Sequence, residues 1–503
     1  MKPILGIFLS LLTATAFANV GLYSSGPSLD SIVSRNTQVR FQFDPFVNDV
    51  DERDVTVEFT SHGADILSIA SHDFDCLATS TTTARCSRAL FPKNTQTGIT
   101  LVIVTPASLV GGRITVAGTI RAASGASASW NPWILMTSAF LVTHTGSDGP
   151  GSLRDAIQSA NVACGADPPC EIDFETSGTI APATPLPAIT ARRISIDGRG
   201  EIILDGNRLP SSGLTFTETR ILTVSGMQIQ NWGDAGILLN ASPQISLNAV
   251  IANNVLAQNL RGLVVVHQPY LYAHDNVIRD NQRSGVWIAS AYYPAVYENK
   301  IEDNGASGVY IGPGSQFGAV DENEIRNNRD FGVAIDPNTR WIEVRGNSMK
   351  GNGQLGIDFN LDLVTPNVAD DSRRPIPNAP TITSAAYDPV AKKTLIIGHV
   401  DLVKPADVGY YLPLIDLYAS TSLDAHGIAQ GEKHLYANSD YSIPVQLNRT
   451  TGDFVYIYAG DLRGQFISAT YTRMYALGKG LPVPQYYENG QSTSEMSNPV
   501  RVE

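Results

Sequence analysis

Ten asparagines in a fixed rhythm constrain this chain more than anything else in it. Asn254, Asn276, Asn299, Asn323 and Asn347 recur at intervals of 22, 23, 24 and 24 residues. A second asparagine follows each one five positions later, at Asn259, Asn281, Asn304, Asn328 and Asn352. An apolar residue sits between the two (Leu256, Ile278, Ile301, Ile325, Met349), and a glycine then opens an apolar-x-apolar triplet, at Gly262, Gly285, Gly308, Gly332 and Gly356. A unit of this length cannot bury a core by itself, so the copies must stack and share one.

The triplets say how. In Val286-Trp287-Ile288, Val309-Tyr310-Ile311 and Val333-Ala334-Ile335 the outer residues are apolar and the middle one varies. Period two means strand, with the outer residues facing a core. Each copy holds about three such pieces, "YLYAH", "VIRD" and "GVWI" in one of them. Strands this short do not fold alone. Copies stacked about 4.8 Å apart pair each strand with its equivalent in the next copy, giving a solenoid of parallel strands. From Ile194 to Phe359 there is room for about seven coils, spanning on the order of 34 Å. Asparagine at the corners tolerates left-handed backbone, and stacked asparagines bond to one another, so Asn254, Asn276, Asn299, Asn323 and Asn347 are expected to form a structural ladder.

The register Asn-x-Ile-x-x-Asn-x-x-x-Gly-Val-x-Ile resembles that of the right-handed parallel β-helix proteins of the pectate-lyase-like superfamily, most clearly over 185–360. "GPGSLRDAIQSANVA" (149–163) is similar to the N-terminal segment of secreted bacterial β-helix repeat proteins of the CSLREA type. Ser152 there suits a helix cap with Asp155 three residues on, and Leu153, Ala156, Ile157 and Ala160 share a face, as a lid over the first coil requires. "LGIDFNLDLVTPN" (355–367) followed by a β-rich module resembles the same group.

The flanks lack the asparagine rhythm. "VTVEFT", "TLVIVTP" and "RITVAGTI" in the first part, and "KKTLIIGHV", "DFVYIYAGD" and "GQFISATYT" in the last, are strands between turn residues, the pattern of antiparallel sandwiches. The expected class is therefore all-β, a right-handed parallel β-helix between two antiparallel β-sandwiches. The expected bounds are a signal peptide at 1–18, an Ig-like sandwich at 19–122, a linker at 123–140, the β-helix with its cap helix at 141–369, a linker at 370–379, and an Ig- or fibronectin-like sandwich at 380–503.

Lys2, the apolar run Ile4–Leu12 and Ala16-Phe17-Ala18 form an export signal with its cleavage site. The place of action is then the cell exterior, the cell surface or the periplasm. The four cysteines fall into two close pairs, and export favours the disulfides Cys76–Cys86 and Cys164–Cys170 over a zinc site, which would need closer ligand spacing. A net charge of −13 with no basic run speaks against nucleic acid and anionic membrane as partners. No later segment reads as a membrane span.

Stacked triplets put Trp287, Tyr310, Ala334 and Asp358 on one outward face. In the proteins it resembles, that strand and the turn before it line a sugar groove. The resemblance adds Arg283 and Asp330 from the turn and Asp336 from the strand's end. Two exposed aromatics one coil apart suit the faces of successive pyranose rings. The expected partner is an extracellular polysaccharide or a surface partner. A polysaccharide lyase or glycoside hydrolase with diverged catalytic groups is the alternative, and a structural envelope component a third. No catalytic residue is assigned. The hydrolase motifs of the superfamily are missing from the coils, and the eight histidines show no zinc pattern. No cofactor or metal ligand set is expected, with calcium reserved for the lyase case. Two further outward rows, Arg279-Glu302-Arg326-Lys350 and His274-Tyr297-Asp321-Arg345, are expected to be solvated surface.

Overall fold

The computed structural model describes residues 20–24, 32–33, 38–106, 112–136, 138–164, 170–240, 248–369, 376–402, 413–435, 445–476 and 489–503. The export signal expected at 1–18 and residues 370–375 of the second expected linker lie outside these. The chain divides into two compact units, Met1–Phe140 with Ala163–Glu171, and Leu141–Val162 with Ile172–Glu503.

The first unit is a sandwich of two antiparallel sheets. One sets Gln38–Val47 between Val20–Ser24 and Ile99–Val104, and the other sets Glu52–His62 between Thr83–Phe91 and Gly112–Arg121. Alternate residues Val39, Phe41 and Phe43 turn inward, and Phe43 meets Phe59 at 4.7 Å between ring centroids. Cys76 and Cys86 face each other on neighbouring strands and are joined by a disulfide, and a second disulfide joins Cys164 to Cys170.

The expected linker at 123–140 needs correcting. After a turn at Gly125, Ser127–Trp130 runs back antiparallel to the end of Gly112–Arg121, and Trp133–Met136 pairs with that strand's beginning. Small polar residues make a poor core but an adequate outer strand, where one face stays wet.

In the second unit, helix Leu153–Ala163 starts as expected. The Asp155 N–H donates to Ser152 Oγ at 3.2 Å, and the Asp155 carboxylate accepts the Gly151 N–H at 2.8 Å. Leu153, Ala156, Ile157 and Ala160 are buried. Asn161 ties the helix down, donating to Ala188 O at 2.7 Å and accepting the Thr190 N–H at 2.8 Å.

The coils follow. One face is a sheet of seven parallel strands, Leu214–Thr217, Ala235–Asn240, Arg261–Val266, Val286–Ala289, Val309–Ile311, Val333–Ile335 and Ile357–Phe359. The other faces carry the remaining two strands of each coil, and the long strand Ile221–Gln230 runs through both. Leu256, Ile278, Ile301, Ile325 and Met349 stand in register as one column with no exposed surface.

The asparagines form two buried ladders. From Asn254 in the first ladder and from Asn281 in the second, Nδ2 donates to the Oδ1 of the next rung, as in Asn276 to Asn299 (2.9 Å), Asn299 to Asn323 (3.0 Å) and Asn304 to Asn328 (2.9 Å). Each backbone N–H reaches the same oxygen. The left-handed residue, however, is the one before each rung. Asn253, Asp275, Glu298 and Glu322 precede the first ladder, and Gln258, Asp280, Asp303 and Asn327 the second, all with φ between 53° and 59°. The division of labour has a steric reason. The bend falls on an outward side chain, which leaves the asparagine free to point its amide inward.

The C-terminal part, Thr381 onward, is a second sandwich of antiparallel sheets around Ile396, Leu417, Phe454, Ile467 and Tyr471. It covers the last coil. Gln430 takes the place of a further rung. Its Oε1 accepts the Asn352 N–H at 3.0 Å and Asn352 Nδ2 at 3.3 Å, while its Nε2 donates back to Asn352 O at 2.8 Å. Arg345 forms a forked pair with buried Asp416 at 2.6 and 3.1 Å, and Lys350 reaches Glu432 at 2.5 Å. The outward rows are thus less solvated than expected: Arg345 lies under the sandwich, and Glu302, paired with Arg326 at 2.8 Å, is itself buried. An uncovered final coil would expose pairing edges, and this packing removes them.

Candidate functional site

The seven-stranded face carries the row in the expected register, though Ala334 within it is buried where an outward position was expected. Val264, Trp287, Tyr310, Ala334 and Asp358 are successive partners. Trp287 and Tyr310 are half-buried and stacked, with ring centroids 6.1 Å apart and planes 15° off parallel. Alternation produces this. Val286 and Ile288 turn into the core, so Trp287 must turn out, and the glycine ahead of each triplet lets the coils close up. A Cβ on Gly308 would lie 2.6 Å from Ile325 Cγ2 and 2.8 Å from Gly332 O.

Charge gathers at both ends of this aromatic pair. On one side the Arg261 guanidinium lies 5.7 Å from the Trp287 ring centre and 4.0 Å from Asp234. Burial, and then the like charge of nearby Arg283, push Arg261 below its ordinary value. Arg283 is exposed in the turn before Trp287. On the other side the Tyr310 hydroxyl donates to Asp336 Oδ2 at 3.4 Å. Burial and the Asp336 charge raise the Tyr310 phenol. Asp336 is held by Asn338, which donates N–H at 2.8 Å and Nδ2 at 3.0 Å to its other oxygen. Asp330 is half-buried in the turn leading to Val333–Ile335, where its N–H donates to Ala306 O at 3.3 Å.

The structure therefore brings Arg283, Trp287, Tyr310 and Asp336 to one strip. Asp358 does not belong to it. Its register is as expected, but it has no exposed surface, because the C-terminal sandwich and the loop after Phe359 close over the last coil.

Two features were not found from sequence. Asp234 lies in an earlier coil without the asparagine spacing, and Arg261 directly precedes the repeat glycine Gly262 in the first regular coil. A second aromatic column stands at the corner before another face, with Tyr270 on Tyr293 at 5.4 Å, Tyr293 on Phe317 at 5.0 Å and Phe317 on Trp341 at 4.6 Å, all within 20° of parallel. Tyr293, Phe317 and Trp341 hold left-handed backbone, unusual for bulky residues and compensated here by stacking. Their spacing of 23, 24 and 24 residues was a legible signal. Trp341 and Asp336 line a common recess with Arg340, Phe359 and Asn360.

Among the described residues no helix is long and apolar enough to cross a membrane. A search of curated proteins finds no match. Among solved structures the chain is similar to a periplasmic alginate epimerase, at 18% identity over 41% of this chain and 51% of that one, TM-score 0.30. It is also similar to the catalytic domain of Agl-KA, at 15% identity over 66% and 67%, TM-score 0.33. A third is the catalytic domain of a GH87 alpha-1,3-glucanase in complex with nigerose, at 9% identity over 65% and 70%, TM-score 0.27. The chain thus spans about half the length of the epimerase. Residues 212–362 match the family model described as a right handed beta helix region, and with the stacked parallel strands above, the middle of this chain is a right-handed parallel β-helix.

Proposed function

We propose that the protein recognises an extracellular polysaccharide along the outer side of its β-helix. The carrying observation is the parallel stack of Trp287 and Tyr310 on the seven-stranded face. Stacked on each other, the two half-buried rings turn their outer edges to the surface as an apolar strip for sugar C–H groups, and the polar groups at either end, Arg261 and Arg283 against Asp336, supply orientation. The two arginines favour a sugar that carries carboxylate, since guanidinium pairs with that group through two parallel hydrogen bonds. The disulfides and the expected leader fit a protein that works outside the cytoplasm.

Burying about 50 Å² of each ring at ~25 cal/mol per Å² is worth about 2.5 kcal/mol in total, or roughly 50-fold in affinity. Titration calorimetry of wild type and of the Trp287→Ala/Tyr310→Ala double variant, against polyuronates and neutral glucans, tests this. A loss of that order in the double variant is expected. Equal binding by both proteins removes the assignment. Appearance of an unsaturated product or of new reducing ends would show turnover, the expected alternative.

A further inference from the structure

We infer that the junction between the last coil and the C-terminal sandwich binds a divalent cation, calcium by its chemistry, through Asp358, Asp362 and Glu495. One carboxylate oxygen from each of the three lies within 4.8 Å of the others. Asp358 ends the seven-stranded face, Asp362 sits in the loop just beyond it, and Glu495 comes from the sandwich, so the group bridges distant parts of the chain.

The second observation is an orphaned atom. Asp358 has no exposed surface, and among the described residues nothing donates to its Oδ1. Its Oδ2 accepts the Leu363 N–H at 3.1 Å. A buried carboxylate oxygen without a donor is costly, and a cation is the partner that relieves it. Hydroxyl donors do not fill the gap. Thr365 Oγ1 lies 3.2 Å from Asp362 Oδ1 and 2.8 Å from Glu495 Oε1, yet has one proton to give. Backbone N–H groups hold Glu495 in place, from Phe359 at 3.0 Å and from Thr365 at 2.8 Å.

The local sequence points the same way. Asp358-Phe359-Asn360-Leu361-Asp362 places oxygen-bearing side chains at alternate positions, the spacing by which a calcium loop supplies its first three ligands. Such a loop has glycine at the next position for a sharp turn, and Leu363 there adopts the left-handed backbone a glycine would, with φ of 70°. The remaining acidic ligand of a calcium loop follows within the same segment, whereas here Glu495 arrives from the sandwich. An all-oxygen donor set with no nitrogen or sulfur favours calcium over zinc, and the irregular loop favours it over magnesium, which demands near-ideal octahedral geometry.

The test uses the full chain, stripped with chelator and dialysed. Calcium is titrated by calorimetry, and thermal unfolding is followed with and without it. A dissociation constant on the order of 10⁻⁴ to 10⁻³ M, typical of extracellular modules, and a calcium-dependent rise in Tm are expected, with magnesium weaker. Asp362 is exposed and its charge opposes that of Asp358, so Asp362→Asn should fold with a calcium-free Tm no lower than wild type and bind calcium at least tenfold more weakly. Glu495→Gln should lose binding too. No calcium-dependent change in wild type up to about 10 mM, or an Asp362→Asn variant that binds like wild type, overturns the inference and leaves the three acids as a proton-sharing group.

Discussion

Replacing Asn299 by alanine isolates what the ladder contributes. Asn299 is buried, and its side chain lies within hydrogen-bond distance of five partners, its two N–H protons being shared among three acceptors. Its Nδ2 donates to Ala273 O (2.8 Å), Tyr297 O (2.9 Å) and Asn323 Oδ1 (3.0 Å), and its Oδ1 accepts the Asn276 N–H (3.0 Å) and Asn276 Nδ2 (2.9 Å). Alanine removes all five. Asn276 Nδ2 keeps bonds to Ile251 O and His274 O, but its backbone N–H loses the acceptor the ladder supplied, in a buried place. At about 1 kcal/mol net per bond, with a penalty of ~1–3 kcal/mol for each buried group stranded and some relief from relaxation, Asn299→Ala should cost about 3–5 kcal/mol. That is a large share of the roughly 5–15 kcal/mol that holds a typical domain together. Urea unfolding followed by circular dichroism measures it as a fall in the midpoint with an unchanged slope. A change below about 0.5 kcal/mol, the size of an ordinary surface substitution, would refute the argument that the rungs hold the coils in register.

Two further outcomes follow from the same geometry. Gly308→Ala, whose new methyl would meet Ile325 and the Gly332 carbonyl, should lose roughly 1–3 kcal/mol in the same assay, and a neutral result would mean the coils are free to separate. A pH titration of stability addresses Glu343, which lies 3.6 Å from Arg345 and whose carboxyl is pushed by burial, and by the charge of Asp416, up to about 7. Arg345 opposes that rise but is already committed to Asp416, which His434 also bonds at 3.1 Å, and nearby Asp321 is raised in the same direction as Glu343. A carboxyl raised in the folded state contributes stability in full below its unfolded value of 4.5, and that stability is lost as pH climbs through about 7. The loss is on the order of a few kcal/mol, and Glu343→Gln should flatten the decline. Asp416 is depressed, against its burial, by Arg345 and His434, so its own contribution is lost only on acidification. A wild-type profile that is flat over this window would contradict the reasoning.

The solenoid was legible because its signal is local and repeated. Asn254 to Asn347 and the triplets around Trp287 and Tyr310 follow from period and alternation, and the pairing of each strand with its copy followed without knowledge of anything distant. The misreadings share the opposite cause. Asp358 occupies its expected register, yet what covers it, Glu495, lies 137 positions away in the chain, and no pattern around residue 358 announces that. Ser127–Trp130 was taken for linker because small polar residues carry no core signal, and only its pairing with Gly118–Arg121 makes it a strand. The left-handed corners were placed one residue late, on the asparagines, because propensity alone does not say which of two neighbours bends. The column of Tyr270, Tyr293, Phe317 and Trp341 does carry a signal, a spacing of 23, 24 and 24 residues, but its residue types differ and it lies outside the asparagine-led pattern.

Gln430 has a consequence for how such a molecule can vary. It inserts an amide where the following coil would have offered one, and its contacts are to Asn352 and to the backbone of Gln354. Each earlier coil presents an equivalent asparagine to such an amide, while Arg345 and Lys350, which hold Asp416 and Glu432, belong to the last coil alone. Duplicating one whole 24-residue unit would hand the terminating glutamine an equivalent seat one step outward and leave both ends chemically unchanged. Growth by complete windings is therefore nearly free, whereas a partial one would misalign every column beyond it. The length of the outer strip behaves as a digital quantity counted in turns.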